Sequence, residues 1–92
     1  MSALDKSAFK NILEQIVEGF EADDFKAAMS SASAVGDPMA IANLAMGVQA
    51  RVFASHGLDP AAGTAAFKAA GRQFALEPDI GPLLARMKSA LG

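Results

Sequence analysis

His56 is the only histidine in the sequence and the side chain best suited to acid–base or metal chemistry near neutral pH. It falls in the last turn of a predicted helix, where a protonated imidazole suits the negative end of the helix dipole. Catalysis would need a nucleophile in reach, and Ser55, its sequence neighbour, does not face it on a helix. Zinc would need further nitrogen or sulfur ligands. We therefore assign His56 a structural role and expect no catalytic, cofactor-binding or metal-binding residues.

An acidic group at positions 21, 23 and 24 is the other candidate for metal chemistry. Glu21, Asp23 and Asp24 lack the loop of alternating oxygen ligands around a glycine turn that a calcium site requires. The two aspartates instead suit the first turn of a helix, where the helix dipole favours negative charge. The sequence also has no phosphate-binding glycine loop, zincin helix or nucleophile elbow. We expect no enzymatic activity and no cofactor.

Basic residues form only two small groups, Lys68 with Arg72 and Arg86 with Lys88. They are too few to indicate a phosphate-binding or membrane-binding patch and are assigned to solvated helix faces. A net charge of −2 gives no electrostatic reason to bind nucleic acid or anionic lipid. The lack of cysteine fits a reducing compartment, and neither a signal peptide nor a membrane span is expected. We predict a cytoplasmic protein with no nucleic-acid or membrane partner.

The longest apolar stretch, residues 38–56, predicts a central helix around which shorter helices fold. Asp37 and Pro38 provide an N-cap and a first helical residue, and Gly57 can end the helix in a left-handed conformation with Leu58 folded back on Phe53. Since little of this helix is polar, we expect it to be covered on several sides. Its apolar residues recur at three- and four-residue spacing: Ile41, Leu44, Ala45, Val48 and Val52.

Two helices are predicted before the central one. The first spans about residues 6–20 with Asp5 as its N-cap. Its apolar face consists of Phe9, Ile12, Leu13, Ile16, Val17 and Phe20. The second has Asp23 and Asp24 in its first turn and is expected to be short or frayed at its far end, because residues 30–36 are small and rich in serine.

Two more helices follow the central one. Asp59 and Pro60 signal a fourth helix to about residue 75, on which Gly63, Phe67 and Gly71 are spaced to permit close approach by another helix. Glu77, Pro78 and Asp79 give a third start signal of acidic residues with proline, so the last helix is predicted to begin at residue 78 or 79. Pro82 would be too deep in a helix starting at residue 78, so the regular part would begin at residue 79. Its apolar stripe includes Ile80, Leu83, Leu84, Met87 and Leu91.

The fold class that follows is all-α: a compact single-domain bundle, residues 1–92, of four to five short helices around a long apolar central helix. The hydrophobic fraction of 52% includes many alanines, which favour helix more than they add hydrophobic burial. Met29, Met39, Met46 and Met87 are assigned to core filling, because no two of them are expected in one exposed stripe.

Three segments resemble a known family. They are residues 12–20 (ILEQIVEGF); residues 48–53 (VQARVF) with the Gly57-Leu58 ending; and residues 77–80 (EPDI) leading into 84–91 (LARMKSAL). In this order they resemble the protein C-ten family of small uncharacterised eukaryotic proteins, over nearly the whole chain. The departures are a shorter join around residues 29–38 and His56 in place of an aromatic residue. The resemblance implies a cytoplasmic protein without known enzymatic activity, linked in animals to brain development, and supplies no site residues.

Two functions from different classes are consistent with these features. The leading hypothesis is a non-enzymatic helical protein–protein interaction module, whose glycine- and alanine-lined faces exceed what a small bundle can use internally. A homodimer would use that surplus surface. The alternative is a small apolar-ligand or acyl-chain carrier, with a pocket between the central helix and the helices that bear Phe20, Phe67 and Phe74. An enzyme that uses His56 is the least favoured reading.

Overall fold

The structure, a computed structural model, describes residues 4–90 of the chain. This part of the chain contains five α-helices joined by short turns. They are α1 (Lys6–Glu21), α2 (Asp23–Val35), α3 (Pro38–Ser55), α4 (Pro60–Phe74) and α5 (Gly81–Ala90). The predicted all-α bundle is confirmed. None of the helices in this part of the chain combines the length and the hydropathy needed to cross a membrane.

α1 is the most deeply buried helix and packs against each of the other four. All six residues of its predicted apolar face are at most 1% exposed. The Asp5 side chain caps the helix by accepting a hydrogen bond from the Ala8 amide at 2.8 Å. The predicted face and start of α1 are therefore confirmed, and this helix supplies the centre of the core.

α3 begins and ends as its sequence signals predict. The Asp37 carboxylate accepts from the amides of Met39 and Ala40, at 3.1 and 3.3 Å. At the other end Gly57 has a φ of +72°, and the Leu58 amide donates to the Phe53 carbonyl at 2.8 Å, which is a Schellman ending. The helix packs against α1, α2 and α4.

The coverage expected for α3 is incomplete. Its buried side chains are Val48 and Phe53, whereas Met39 and Met46 are largely exposed. Apolar residues surround most of this helix, and α1, α2 and α4 together cover only part of its circumference. Periodicity therefore identified an apolar helix correctly but overestimated how much of it the bundle buries.

α2 and α5 differ from their predicted bounds. α2 is not frayed: it continues to Val35 and ends at Gly36, whose φ of +68° closes the helix, while Phe25 and Ala32 anchor it in the core. α5 begins at Gly81 rather than at residue 78 or 79, because Pro82 is tolerated only in the first turn. Residues 77–80 form a turn that buries Ile80 completely. Leu91, predicted on the α5 stripe, lies outside the described residues.

Glycines mark two close approaches between helices. A Cβ placed on Gly63 of α4 would lie 2.8 Å from Cγ of Phe53 on α3, which confirms the predicted close packing. The same prediction is wrong for Gly71, where a Cβ would make an ordinary contact of 3.9 Å with Cζ of Phe9. Gly19 of α1 was not singled out from the sequence, yet a Cβ there would lie 2.6 Å from Cγ1 of Val48.

Candidate interaction surface

The best candidate site is an exposed apolar surface on α3. Met39, Ala42, Met46 and Ala50 follow one another at three- and four-residue steps, which places them on one side of the helix. We call these four residues the α3 face. Met39 is 72% exposed and Met46 is 62% exposed, so the assignment of these two methionines to core filling is wrong. Met29 and Met87, in contrast, pack against the core as expected.

The α3 face continues into a groove between α3 and α4. The groove has a volume of about 570 Å³. It is lined by Met46, Gln49, Ala50, Pro60, Ala61, Thr64 and Lys68. Residues 38–50 contain no charged side chain, so Lys68 is the charged residue of the groove lining. An uncharged helix surface with large exposed methionines is typical of a site that another surface covers.

The packing of α4 explains why this surface stays open. α4 meets α3 near the C-terminal end of α3. There the Phe53 ring lies 5.9 Å from the Phe67 ring, centroid to centroid, and the Phe53 side chain leaves no room for a Cβ at Gly63. From there α4 continues to Phe9 on α1, which the Phe67 and Phe74 rings contact. The N-terminal half of α3 consequently lacks α4 on the side that carries Met39.

A second surface depression, of about 980 Å³, lies between α2 and α5. Its edge includes an ion pair between Arg86 Nη2 and Glu21 Oε1 at 2.7 Å, supported by Arg86 Nε at 3.3 Å from Oε2. This pairing raises the pKa of Arg86 and lowers the pKa of Glu21. The sequence placed Arg86 on a solvated face and did not predict this partner, because the two residues are far apart in the chain. The pair joins α1 to α5.

A second set of ion pairs joins α1 to the turn before α5. Lys6 Nζ lies 2.9 Å from Glu77 Oε1 and 3.1 Å from Asp79 Oδ1, and Lys10 Nζ lies 3.8 Å from Asp79 Oδ2. Hydrogen bonding to Glu77 raises the pKa of Lys6, and hydrogen bonding to Lys6 lowers the pKa of Asp79. These acids were expected to start the last helix. They connect two elements of the fold instead.

His56 caps the C-terminal end of α3 and is exposed to solvent. Its Nε2 lies 3.2 Å from Gln15 Oε1 on α1, while the Ser55 hydroxyl donates to the Val52 carbonyl at 2.7 Å. Ser55 is therefore not directed at the imidazole. Asp23 and Asp24 lie in the first turn of α2, as predicted. Across residues 4–90, no three His, Cys, Asp or Glu residues group as they would around a metal ion.

Phenylalanine rings pack against one another in part of the region where a ligand carrier would need a pocket. The Phe20 ring stacks on Phe25 at 5.0 Å between centroids. Phe67 lies between Phe9, at 5.1 Å, and Phe53, at 5.9 Å. Because these rings contact each other directly, their arrangement favours a packed core over a site for an acyl chain.

The α3 face was not predicted from the sequence, although the sequence contains one signal for it. A helix that is apolar around most of its circumference needs more neighbours than four short helices can provide, and the surplus appears as exposed surface. No protein-family model, curated protein or solved structure matches this chain. The chain's own residues therefore carry the functional argument.

Proposed function

We propose that this protein is a non-enzymatic helical interaction module that binds a protein partner through the α3 face. The observation that carries the proposal is the exposure of Met39 and Met46 on an uncharged side of α3. Burying such a side chain on association contributes about 1.5–3 kcal/mol. Two of them provide a driving force for binding that the isolated bundle leaves unused.

The chemistry of this surface suits a protein partner. Methionine side chains are flexible and polarisable, so they adapt to the side chains of a facing helix. Gln49, which lines the adjoining groove, supplies a polar group beside the apolar α3 face, and many protein interfaces combine apolar and polar groups in this way. The partner is another protein or a second copy of this chain.

The charged groups support a non-enzymatic role. Lys6, Glu77, Asp79, Glu21 and Arg86 form ion pairs between elements of the fold. The remaining chemical candidate, His56, is hydrogen-bonded to a neutral glutamine. We also propose a cytoplasmic location, because a chain without cysteine fits a reducing compartment. Membership of the protein C-ten family, based on the three segments named above, is part of the same proposal.

The test compares partner capture by three forms of the purified protein. Met46→Glu places a charge on the α3 face at an exposed position, so the fold should be retained. Leu76→Glu is the matched control, because it introduces the same charge at another exposed apolar side chain, which is 99% exposed. Leu76 lies outside the α3 face: it follows α4 and precedes Glu77, which pairs with Lys6 at the start of α1. Circular dichroism should confirm that all three forms are folded.

Each form is incubated with an extract of the source cells, cross-linked, and its bound proteins are quantified by mass spectrometry. We expect one set of proteins, this chain included if it self-associates, to be captured by the wild type and by Leu76→Glu but lost with Met46→Glu. Equal capture by all three forms would show that the α3 face is not the binding surface.

A further inference from the structure

We infer that the partner of the α3 face is a second copy of this chain, with the two α3 helices packed antiparallel about a two-fold axis. This inference rests on the proposed function and specifies its partner. It starts from the arrangement of the α3 face. Met39 and Met46 are both exposed and lie seven residues apart, two turns of helix, on the same side of α3.

An antiparallel pair can place Met39 of each copy against Met46 of the other. The two-fold axis then passes near Ala42 and Asn43, midway between the methionines. Ala42 is small and exposed, so the helices can approach closely at the axis. Asn43 is exposed beside it, where a polar side chain can fix the register of two packed helices. Met39 of each copy is thereby directed towards the α3–α4 groove of the other.

Charges at the two ends of the α3 face favour this direction over a parallel one. Asp37 precedes Met39, and Lys68 lines the groove beside Met46; both are exposed. An antiparallel pair brings Asp37 of each copy towards Lys68 of the other, whereas a parallel pair brings like charges together. Of the other nearby charges, Asp59 caps the start of α4 as Asp37 caps α3, but it lies nine residues before Lys68, more than two turns of helix away. Arg51 lines a different groove, between α2 and α3. Electrostatic complementarity of this kind determines orientation more than affinity.

The size of the surface indicates a weak dimer. Stable interfaces bury about 800 Å² on each partner and involve about 20–30 residues a side. The α3 face and the groove comprise far fewer residues, so we expect a dissociation constant on the order of 10–100 μM. The dimer would then form only where the protein is concentrated, and its assays must cover that range.

Sedimentation equilibrium over that concentration range tests the dimer. The wild type and Leu76→Glu should show the same monomer–dimer equilibrium, and Met46→Glu should weaken it by at least about tenfold. Asp37→Asn keeps a good N-cap but removes the charge, and Lys68→Gln removes the opposite charge. Each substitution should raise the dissociation constant of the dimer. The double variant should raise it by less than the product of the two single fold-changes, because both substitutions remove the same interaction. A wild type that stays monomeric at the highest concentration, or a dimer indifferent to Met46→Glu, would overturn the inference.

Cysteine cross-linking tests the direction, since the natural chain has no cysteine. In the antiparallel pair, the cysteine of a Met39→Cys copy lies next to the cysteine of a Met46→Cys copy. When both copies carry Met39→Cys, their two cysteines are about 10 Å apart along the helix axis. Disulfides do not form when Cα atoms are more than about 7 Å apart. A mixture of the two variants should therefore give mixed disulfides, and each variant alone should give few. Rapid disulfide formation by Met39→Cys alone would indicate a parallel pair and overturn the antiparallel arrangement.

The two experiments separate this inference from the proposed function. If the wild type is monomeric but Met46→Glu still abolishes capture of other proteins from the extract, the interaction module stands and its self-association is wrong. If neither dimerisation nor capture depends on Met46, both proposals are wrong. Leu76→Cys serves as the control for random disulfide formation, because Leu76 is more exposed than either methionine.

Discussion

Replacing each of two glycines of α4 by alanine should give opposite effects on stability. Gly63 and Gly71 lie on the same helix, eight residues apart, and both face the bundle. At Gly63 a new Cβ would meet Cγ, Cδ2 and Cβ of Phe53 at 2.8, 2.9 and 3.1 Å. These atoms form the base of the Phe53 side chain, which is completely buried. The side chain therefore cannot turn away without moving its neighbour Phe67.

The magnitude follows from two opposing contributions. Alanine in a helix interior is favoured over glycine by about 0.5–1 kcal/mol, and both variants gain this amount. At Gly71 the new methyl group makes only an ordinary contact with Phe9, at 3.9 Å, so Gly71→Ala should be stabilising. At Gly63, overpacking costs about 1–3 kcal/mol. Because the propensity gain is common to both, the difference between the two variants measures the contact with Phe53.

Urea unfolding followed by circular dichroism measures this difference. We expect Gly71→Ala to be more stable than Gly63→Ala by about 1–3 kcal/mol. Each kcal/mol corresponds to about 4–8 °C in Tm for a domain of this size. Equal stabilisation by both substitutions would refute the reasoning, because it would mean that α3 and α4 do not approach closely at Gly63. Low protein concentration keeps self-association out of the measurement.

Three further predictions concern single positions. Asp59→Ala removes the side chain that accepts from the amides of Ala61 and Ala62 and should cost about 1 kcal/mol in urea unfolding, whereas Asp59→Asn should restore most of it. Val48→Asp buries a charge at a site that is 5% exposed and should abolish cooperative thermal unfolding, while Lys68→Ala should change stability by less than about 0.5 kcal/mol. The Arg86 pair lowers the pKa of Glu21 below its ordinary 4.5, so its stabilisation is present at neutral pH and is lost as the pH falls through the lowered value. Unfolding measured against pH should therefore show a shallower acid decline for Glu21→Gln than for the wild type, and identical profiles would argue against a stabilising pair.

Local signals in the sequence predicted most helix starts and ends correctly. Asp37 and Asp59, each followed by proline, mark the first turns of α3 and α4, and Gly57 ends α3 as expected. These features depend on a few neighbouring residues, because capping involves hydrogen bonds within one turn. The same holds for the buried face of α1, whose spacing alone identifies its six core residues.

Features that depend on the arrangement of several helices could not be predicted. Whether Met46 lies in the core or on the surface depends on where α4 crosses α3, which periodicity does not contain. Glu77 was expected to start a helix, but its carboxylate pairs with Lys6, 71 residues away. The α3 face is a surface of this kind, because it lies where none of the helices in residues 4–90 covers α3.

The position of α5 beside α1 has a consequence for the synthesis of this protein. α1 leaves the ribosome before α5, yet part of its surface packs against α5, and the completely buried Ile80 precedes α5 directly. During translation the nascent chain therefore presents the apolar side of α1 to solvent before α5 has been synthesised. Chaperones that recognise apolar segments would bind it in this interval, and the native core can close only once residues 80–90 have emerged from the exit tunnel.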